Sequence, residues 1–343
     1  MIKDFFFLAK PILYTLIGFF LISKIDDKEY LFKVIIYLAF FFAILHIYKT
    51  IEFISANDEI DINHLRNHAG RGNVLEVFAL VLLLSKKGRE LFSFKAKFKR
   101  LITAVLILSF ICYLSRTNTV SVIILFLGIS GYLAITRKGL IYMFNFFLVI
   151  TALYVYILSI NPQRGTPGIE GFLYKIKIAP SEIFDSKIDF EDHVDLWDHW
   201  RAYEAQKALE QIHDTPLYSG LFFGKGIGSL VDLEFVAPLN EEGMQYISVL
   251  HNGYSFIAFK SGFIGLILFL LFLLTLYKQA YVPSDVPRVI IINYLLSGIA
   301  IYYMFTTLIV SGTYNPRDFA CIIIGGLLSI RYYLNKNGLK KLN

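Results

Sequence analysis

Of the ionisable residues within or at the edges of long apolar stretches, the main ones are Glu76, Arg116, His251 and Lys260. A charge at membrane depth is costly, so such residues are functional candidates by default. Arg116 belongs to Leu114-Ser-Arg-Thr-Asn-Thr119, a polar turn between two apolar segments. Snorkelling to the interface would explain it. It would equally present a permanent cation with a planar donor fork, suited to a phosphate or diphosphate. His251-Asn252-Gly253-Tyr254 opens another apolar run. A lone histidine is more often a satisfied polar residue than a catalyst, but at the mouth of a cavity a neutral imidazole can take a proton from a sugar hydroxyl near pH ~7.

Between these two positions lies one clear helical pattern, Val194 to Ile212, with Leu196, Trp200 and Tyr203 at three- and four-residue spacing and charges between them. Asp192 or His193 stands where a cap is expected. Arg201 is flanked by Asp198 and Glu204, three residues away on either side, which ordinary surface pairing explains. Trp197 and Trp200, the only two tryptophans of the chain, lie beside it and suit a surface resting on a membrane or on a sugar. Downstream, Thr215-Pro-Leu-Tyr-Ser-Gly220 reads as a turn and leads to Gly224-Lys-Gly-Ile-Gly-Ser229. That loop is neither a P-loop nor a dinucleotide fingerprint, because the spacing is one residue short and Gly226 replaces the hydroxyl residue. It is either a structural turn or a substrate contact through Gly224, Lys225 and Gly226. No metal site is expected: His193 and His199 are six residues apart, on different faces of a helix. No local Ser-His-Asp signature is present either.

The elements that must position these residues are set by composition. Of 343 residues, 56% are hydrophobic and only 17% charged, against about 45–50% and about 25% in soluble domains. A single water-soluble globule is therefore excluded. Apolar blocks such as Tyr30–Tyr48, Leu101–Ser115, Leu140–Ile160, Phe256–Tyr277 and Val289–Val310 are close to the ~20 residues that cross a bilayer as helix. The reading is all-α: a polytopic transmembrane bundle of about nine spans with one large extracytoplasmic loop containing an amphipathic helix. Between Lys86 and Arg100 seven basic residues face only Glu90, which makes that segment cytoplasmic by the positive-inside rule. Counting spans onward puts residues 161–250 outside, a stretch with seven basic and fifteen acidic residues. Spans from about Tyr254 to Tyr277, from Val289 to Gly312 (turning at Tyr314–Arg317) and on to Arg331 then leave Lys336, Lys340 and Lys341 in a cytoplasmic tail. Four segments result: N-terminal spans 1–100, central spans 101–160, the external loop 161–250, and C-terminal spans with the tail 251–343. Met1–Ser23 lacks a small-residue cleavage site and reads as a retained span. Cys112 and Cys321, both within apolar blocks, signal no disulfide framework. The basic loop is a topology determinant and not a nucleic-acid surface.

Taken in order, Leu114-Ser-Arg116-Thr, Trp197-x-x-Trp-Arg201 with Ala208-Leu209, Pro216-Leu-x-x-Gly220 leading to Gly224-x-Gly226-x-Gly228, His251-Asn252-x-Tyr254 and Gly262-x-x-Gly265 resemble the O-antigen ligase and polymerase superfamily of bacterial membrane glycosyltransferases. The resemblance covers roughly residues 101–335 and rests on the combination of motifs and the single large loop, not on any one of them. It implies an inner-membrane, multi-pass enzyme that uses an undecaprenyl-diphosphate-linked glycan donor and a glycan acceptor, without metal, nucleotide or other cofactor. By motif it implies functional roles for Arg116, Arg201 and His251. Two arginines would stabilise charge on the leaving diphosphate, and His251 would be the base for the acceptor hydroxyl. Trp197, Trp200, Gly224, Lys225, Gly226 and Asn252 are the expected substrate contacts. Within the family the reading is polymerase of repeat units for O-antigen, capsule or exopolysaccharide, with a chain-length regulator as a partner of this class. Ligation onto lipid A core is the alternative. A transporter of lipid-linked sugars is the rival from another class, although no repeated halves are visible and the charges cluster at one interface.

Overall fold

The computed structural model describes residues 2–56, 65, 68–70, 72–166, 169–185, 188–189, 192–239, 242–315 and 318–340. Arg317 and Lys341, used above as topology markers, lie outside the described residues. The chain divides into two compact units: Met1–Leu13, Ile178–Thr275 and Tyr303–Asp318 in the first, and Tyr14–Lys177, Leu276–Tyr302 and Phe319–Asn343 in the second.

Among the described residues, helices occupy the expected apolar blocks: α1 (Ile2–Ser23), α2 (Tyr30–Ala56), α3 (Asn73–Leu84), α4 (Ala96–Cys112), α5 (Arg116–Ser130), α6 (Arg137–Ile160), then, after the long loop, α12 (Gly253–Tyr277), α13 (Pro287–Val310) and α14 (Ala320–Lys340). Five stretches are long and apolar enough to cross a bilayer unaided: Asp4–Ser23, Tyr30–Ala56, Gly139–Ile160, Gly253–Tyr281 and Pro287–Val310. Helices α3 and α5 are apolar but shorter. The loop carries α7 (Ile169–Lys177), α8 (Ser181–Phe184), α9 (His193–Asp198), α10 (Trp200–His213), α11 (Ser219–Phe223) and a hairpin of β1 (Val231–Ala237) and β2 (Met244–Ile247).

In the second unit α3 is the most enclosed element, buried without interruption from Glu76 to Leu83. Its neighbours are α2, α4 and α5. Close helix approach is made by small residues, as expected where apolar solvent gives no hydrophobic drive between helices. A Cβ on Gly128 of α5 would lie 2.5 Å from the Gly298 Cα of α13, and one on Gly325 of α14 would lie 1.9 Å from the Thr15 carbonyl oxygen of α1. Helix α6 is the opposite case: no residue of its apolar window is buried, which suits a surface that faces lipid.

Local signals set the boundaries. Ser115 caps α5 by accepting from the Asn118 amide at 3.3 Å, so the helix starts at Arg116 instead of Thr119. Thr136 caps α6 through the Gly139 amide at 3.0 Å. Asp192 caps α9 through the Val194 amide at 2.8 Å, as the sequence suggested.

Two features depart from the sequence reading. The helix expected over Val194–Ile212 is broken at His199 (φ −112°, ψ 19°), whose Nδ1 turns back to Asp195 at 2.9 Å and whose Nε2 meets Ser181 Oγ at 3.1 Å. The loop also contains the antiparallel hairpin, paired Val231 to Ile247 and Asp232 to Tyr246 with an irregularity before Ala237–Met244. Helix α10 packs on β1. Tyr203 donates to the Leu233 carbonyl at 2.6 Å, and Gln211 pairs with the Asp232 backbone, giving 2.8 Å and accepting 3.2 Å.

Candidate active site

Helix α10 buries Trp200, Tyr203, Glu204, Ala208 and Ile212, a stripe at helical spacing that carries one carboxylate inward. The Glu204 side chain is only 2% exposed. A charge in that position requires donors, and His251 supplies them. Its amide donates to Glu204 Oε2 at 2.9 Å, and its Nδ1 lies 2.9 Å and 3.1 Å from the two carboxylate oxygens. An ionised carboxylate can only accept, so Nδ1 donates to it, and in the neutral ring Nε2 keeps its lone pair. The His251 side chain remains half exposed, and no described residue bonds Nε2. This is the base-plus-orienter arrangement of general-base sites.

The backbone around His251 is fixed from both sides. Ser311 donates its amide to the His251 carbonyl at 2.7 Å and its hydroxyl to the Leu250 carbonyl at 2.7 Å. Asn252 Oδ1 accepts from the Tyr254 and Ser255 amides at 3.0 and 3.3 Å, capping α12. Gly253 is required by contact: a Cβ there would lie 2.8 Å from Thr307 Cγ2 and 2.9 Å from the Ser311 carbonyl. Asn252, expected as a substrate contact, is thus first of all the N-cap that holds His251 at the helix mouth.

Arg201 sits one turn before Glu204 on the same helix and donates to Glu182 of α8. The sequence suggested Asp198 and Glu204 as its counter-charges; Glu204 instead serves His251. Trp197 stacks on Trp200 with ring centroids 4.9 Å apart, and Trp200 in turn stacks on Tyr203 at 6.0 Å and meets the edge of Phe235. Trp200 is 7% exposed and belongs to the aromatic core. Trp197, half-buried, is the member of the pair that reaches the surface.

The glycine loop is folded onto α12. Lys225 donates its amide to the Phe259 carbonyl at 2.7 Å and Gly228 donates to Asp4 Oδ2 at 3.0 Å. A Cβ on Gly224 would lie 2.5 Å from the Ser261 amide, while Gly226 opens onto free space. The loop's donors are therefore partly spent on its own anchoring, and Lys225 is exposed. Beneath it lies a buried ion pair, Lys260 Nζ to Asp4 Oδ2 at 2.5 Å, the two side chains 1% and 3% exposed. Lys260 also donates to the Ser229 carbonyl. This pairing accounts for Lys260. Asp4 was not singled out from sequence, although an acidic residue in the first turn of an apolar helix is a visible signal.

Arg116 belongs to the second unit, where α3 grips the turn that carries it. Before the turn, Tyr113 donates to Glu76 Oε1 at 3.0 Å and stacks on His46 at 3.7 Å. Ser109 donates to Glu76 Oε2 at 2.6 Å and meets His46 Nδ1 at 2.9 Å. After the turn, Asn73, one helical turn from Glu76, donates to Asn118 at 3.1 Å. Leu114 adopts φ 45° between these anchors. Arg116 opens α5 and donates to the Lys175 carbonyl. Glu76 thus closes a buried polar cluster next to a candidate residue.

Residues 103–270 match the family model described as O-antigen ligase. Comparison with curated proteins and with solved structures gave no match. The matched stretch contains Arg116, Arg201, Glu204, the glycine loop and His251. The apolar helices make the chain an integral membrane protein, and over residues 103–270 it is similar to the O-antigen ligase family, a likeness that supports a membrane glycosyltransferase-like activity.

Proposed function

We propose that the protein polymerises lipid-linked oligosaccharide repeat units, transferring glycan from undecaprenyl diphosphate to a sugar hydroxyl on the external face of the bacterial inner membrane. The observation that carries this reading is the His251–Glu204 pair: a buried carboxylate fixes one imidazole nitrogen and leaves the other as an acceptor on a half-exposed ring. In the reaction the acceptor oxygen bonds to the anomeric carbon as its proton passes to His251 Nε2. The bond from that carbon to the diphosphate oxygen breaks, and the diphosphate leaves with the electron pair. The imidazolium that forms is stabilised by Glu204.

Charge developing on the diphosphate requires fixed cations. By motif, Arg116 and Arg201 are the candidates for that role, each with a planar donor fork. Arg201 exchanges its Glu182 partner for the phosphate oxygens. Trp197 offers an aromatic face to a sugar, and Lys225 with Gly224 and Gly226 lies at the rim. The topology that suits this chemistry places 161–250 outside and the C-terminus in the cytoplasm. The same donor chemistry serves ligation to lipid A core, which differs in acceptor.

Alanine substitution of Arg116, Arg201 or His251 tests the assignment. Each variant is expected to insert normally and lose product; a fully active His251→Ala protein removes His251 as the base.

A further inference from the structure

The segment after α10 exposes an unusual run of large apolar side chains: Leu217 (96% exposed), Tyr218 (55%), Phe222 (58%), Phe223 (68%), Ile227 (45%) and Leu230 (46%). Leu217 and Tyr218 hold left-handed backbone, φ 55° and 54°, which costs energy in residues with a Cβ. The strained backbone directs a leucine outward instead of hiding it.

The depth of this segment follows from where it docks. Its backbone meets α12 at residues 259–262: Lys225 bonds to Phe259, Gly224 abuts Ser261, and a Cβ on Gly262 (φ 66°) would lie 2.2 Å from the Phe222 carbonyl. Helix α12 lies within the candidate span Gly253–Tyr281. Tyr277 and Lys278 form an aromatic and cationic end of the kind found at membrane interfaces. The helix is broken at Gly262 (φ 66°, ψ −166°), and the fifteen residues from there to Tyr277 make about 22 Å of helix. The hydrocarbon layer is ~30 Å thick, so the docking point falls about 8 Å inside its opposite edge.

Irregular backbone at such a depth is tolerated only where its polar groups are satisfied within the protein. Several of the segment's polar groups are paired in this way. Tyr218 donates to the Thr215 carbonyl at 3.0 Å, Gly220 to Thr215 Oγ1 at 2.7 Å, Gly224 to the Gly220 carbonyl at 2.8 Å and Gly228 to Asp4. Lys260 takes up the Ser229 carbonyl.

We propose that residues 216–230 form a re-entrant loop immersed in the lipid leaflet, with Leu217, Phe222 and Phe223 in the acyl layer and Lys225 snorkelling to the phosphates. This holds whatever reaction the site performs. It would set Gly224–Gly226 just beneath the head groups, with the Lys225 ammonium reaching up to the level where a phosphate on a lipid carrier travels.

The test replaces single residues of the full chain with benzoylphenylalanine, at Leu217 and Phe223, at the lipid-facing Phe147 of α6 (62% exposed) as positive control, and at Leu209 of α10 (49% exposed, beside Glu210) as aqueous control. Each protein is reconstituted in phosphatidylcholine and phosphatidylglycerol vesicles, irradiated and analysed by mass spectrometry. The expected result is a lipid-mass adduct at positions 217 and 223 as abundant as at 147 and absent at 209. No lipid adduct at 217 and 223 beside a clear one at 147 overturns the proposal. A dominant adduct to a second copy of the chain also overturns it, showing a subunit interface instead.

Discussion

Replacing Glu204 by Gln keeps the shape of the side chain, removes its charge and turns one acceptor oxygen into a donor, so it probes what the buried carboxylate does for His251. In the reaction the imidazole becomes a cation whose Nδ1 is 2.9 Å from Glu204 Oε2. Two unit charges about 4 Å apart interact by ~4 kcal/mol at an effective dielectric of ~20. His251 is half exposed, and solvent screening brings this to about 2 kcal/mol. That corresponds to a loss of about 30-fold in kcat. A second effect adds to it. The new amide can donate to Nδ1 and hold the proton on Nε2, the nitrogen meant to accept, and a base lost altogether costs ~10²–10⁴-fold. The expected result is therefore a fall of at least about 30-fold in kcat with KM unchanged, since Glu204 is buried and touches no substrate. The assay is initial-rate transfer from a purified lipid-linked donor by reconstituted protein, with Glu204→Asp as the partial rescue. A Glu204→Gln protein with wild-type kcat would refute the assigned dyad.

Lys260→Met leaves Asp4 buried without its cation and should cost ~3–5 kcal/mol, read as a lower Tm in detergent; adding Asp4→Asn should recover part of the loss. Gly262→Ala forces a Cβ against the Phe222 backbone at φ 66° and should destabilise by about 1–3 kcal/mol, with faster proteolysis of the 216–230 segment in detergent as the readout. Glu76→Ala deprives Ser109 and Tyr113 of their acceptor, a loss of ~1–3 kcal/mol. It should lower kcat through the loosened Arg116 turn, while Glu76→Gln, which retains an acceptor, restores most of it.

Much of this was legible in the chain because membrane helices are written in long apolar runs. Tyr30–Tyr48 and Leu140–Ile160 fall inside α2 and α6. The hairpin was legible too: Val231-Asp-Leu-Glu-Phe alternates apolar and charged residues, the period of a strand, but it lay in a loop judged by its one strong helical pattern. Glu204 could have been flagged from its place between Trp200 and Ala208 on the apolar stripe. What no local pattern carries is partner choice. Asp4 and Lys260 are 256 positions apart, and Glu204 and His251 are 47 apart; only tertiary packing decides that Glu204 meets His251 while Arg201 turns to Glu182. The break at His199 is similar, since the helical period continues through it while the ring turns to Ser181, eighteen positions away.

The central claim is tested most directly by incubating the reconstituted protein with an intact undecaprenyl-diphosphate-linked repeat unit and separating the products on a gel. The account predicts a ladder of increasing glycan length that disappears in the His251→Ala protein. A single transfer, seen only when lipid A core is added, would make the chain a ligase. No transfer to either acceptor from a verified donor would contradict the assignment as a glycosyltransferase.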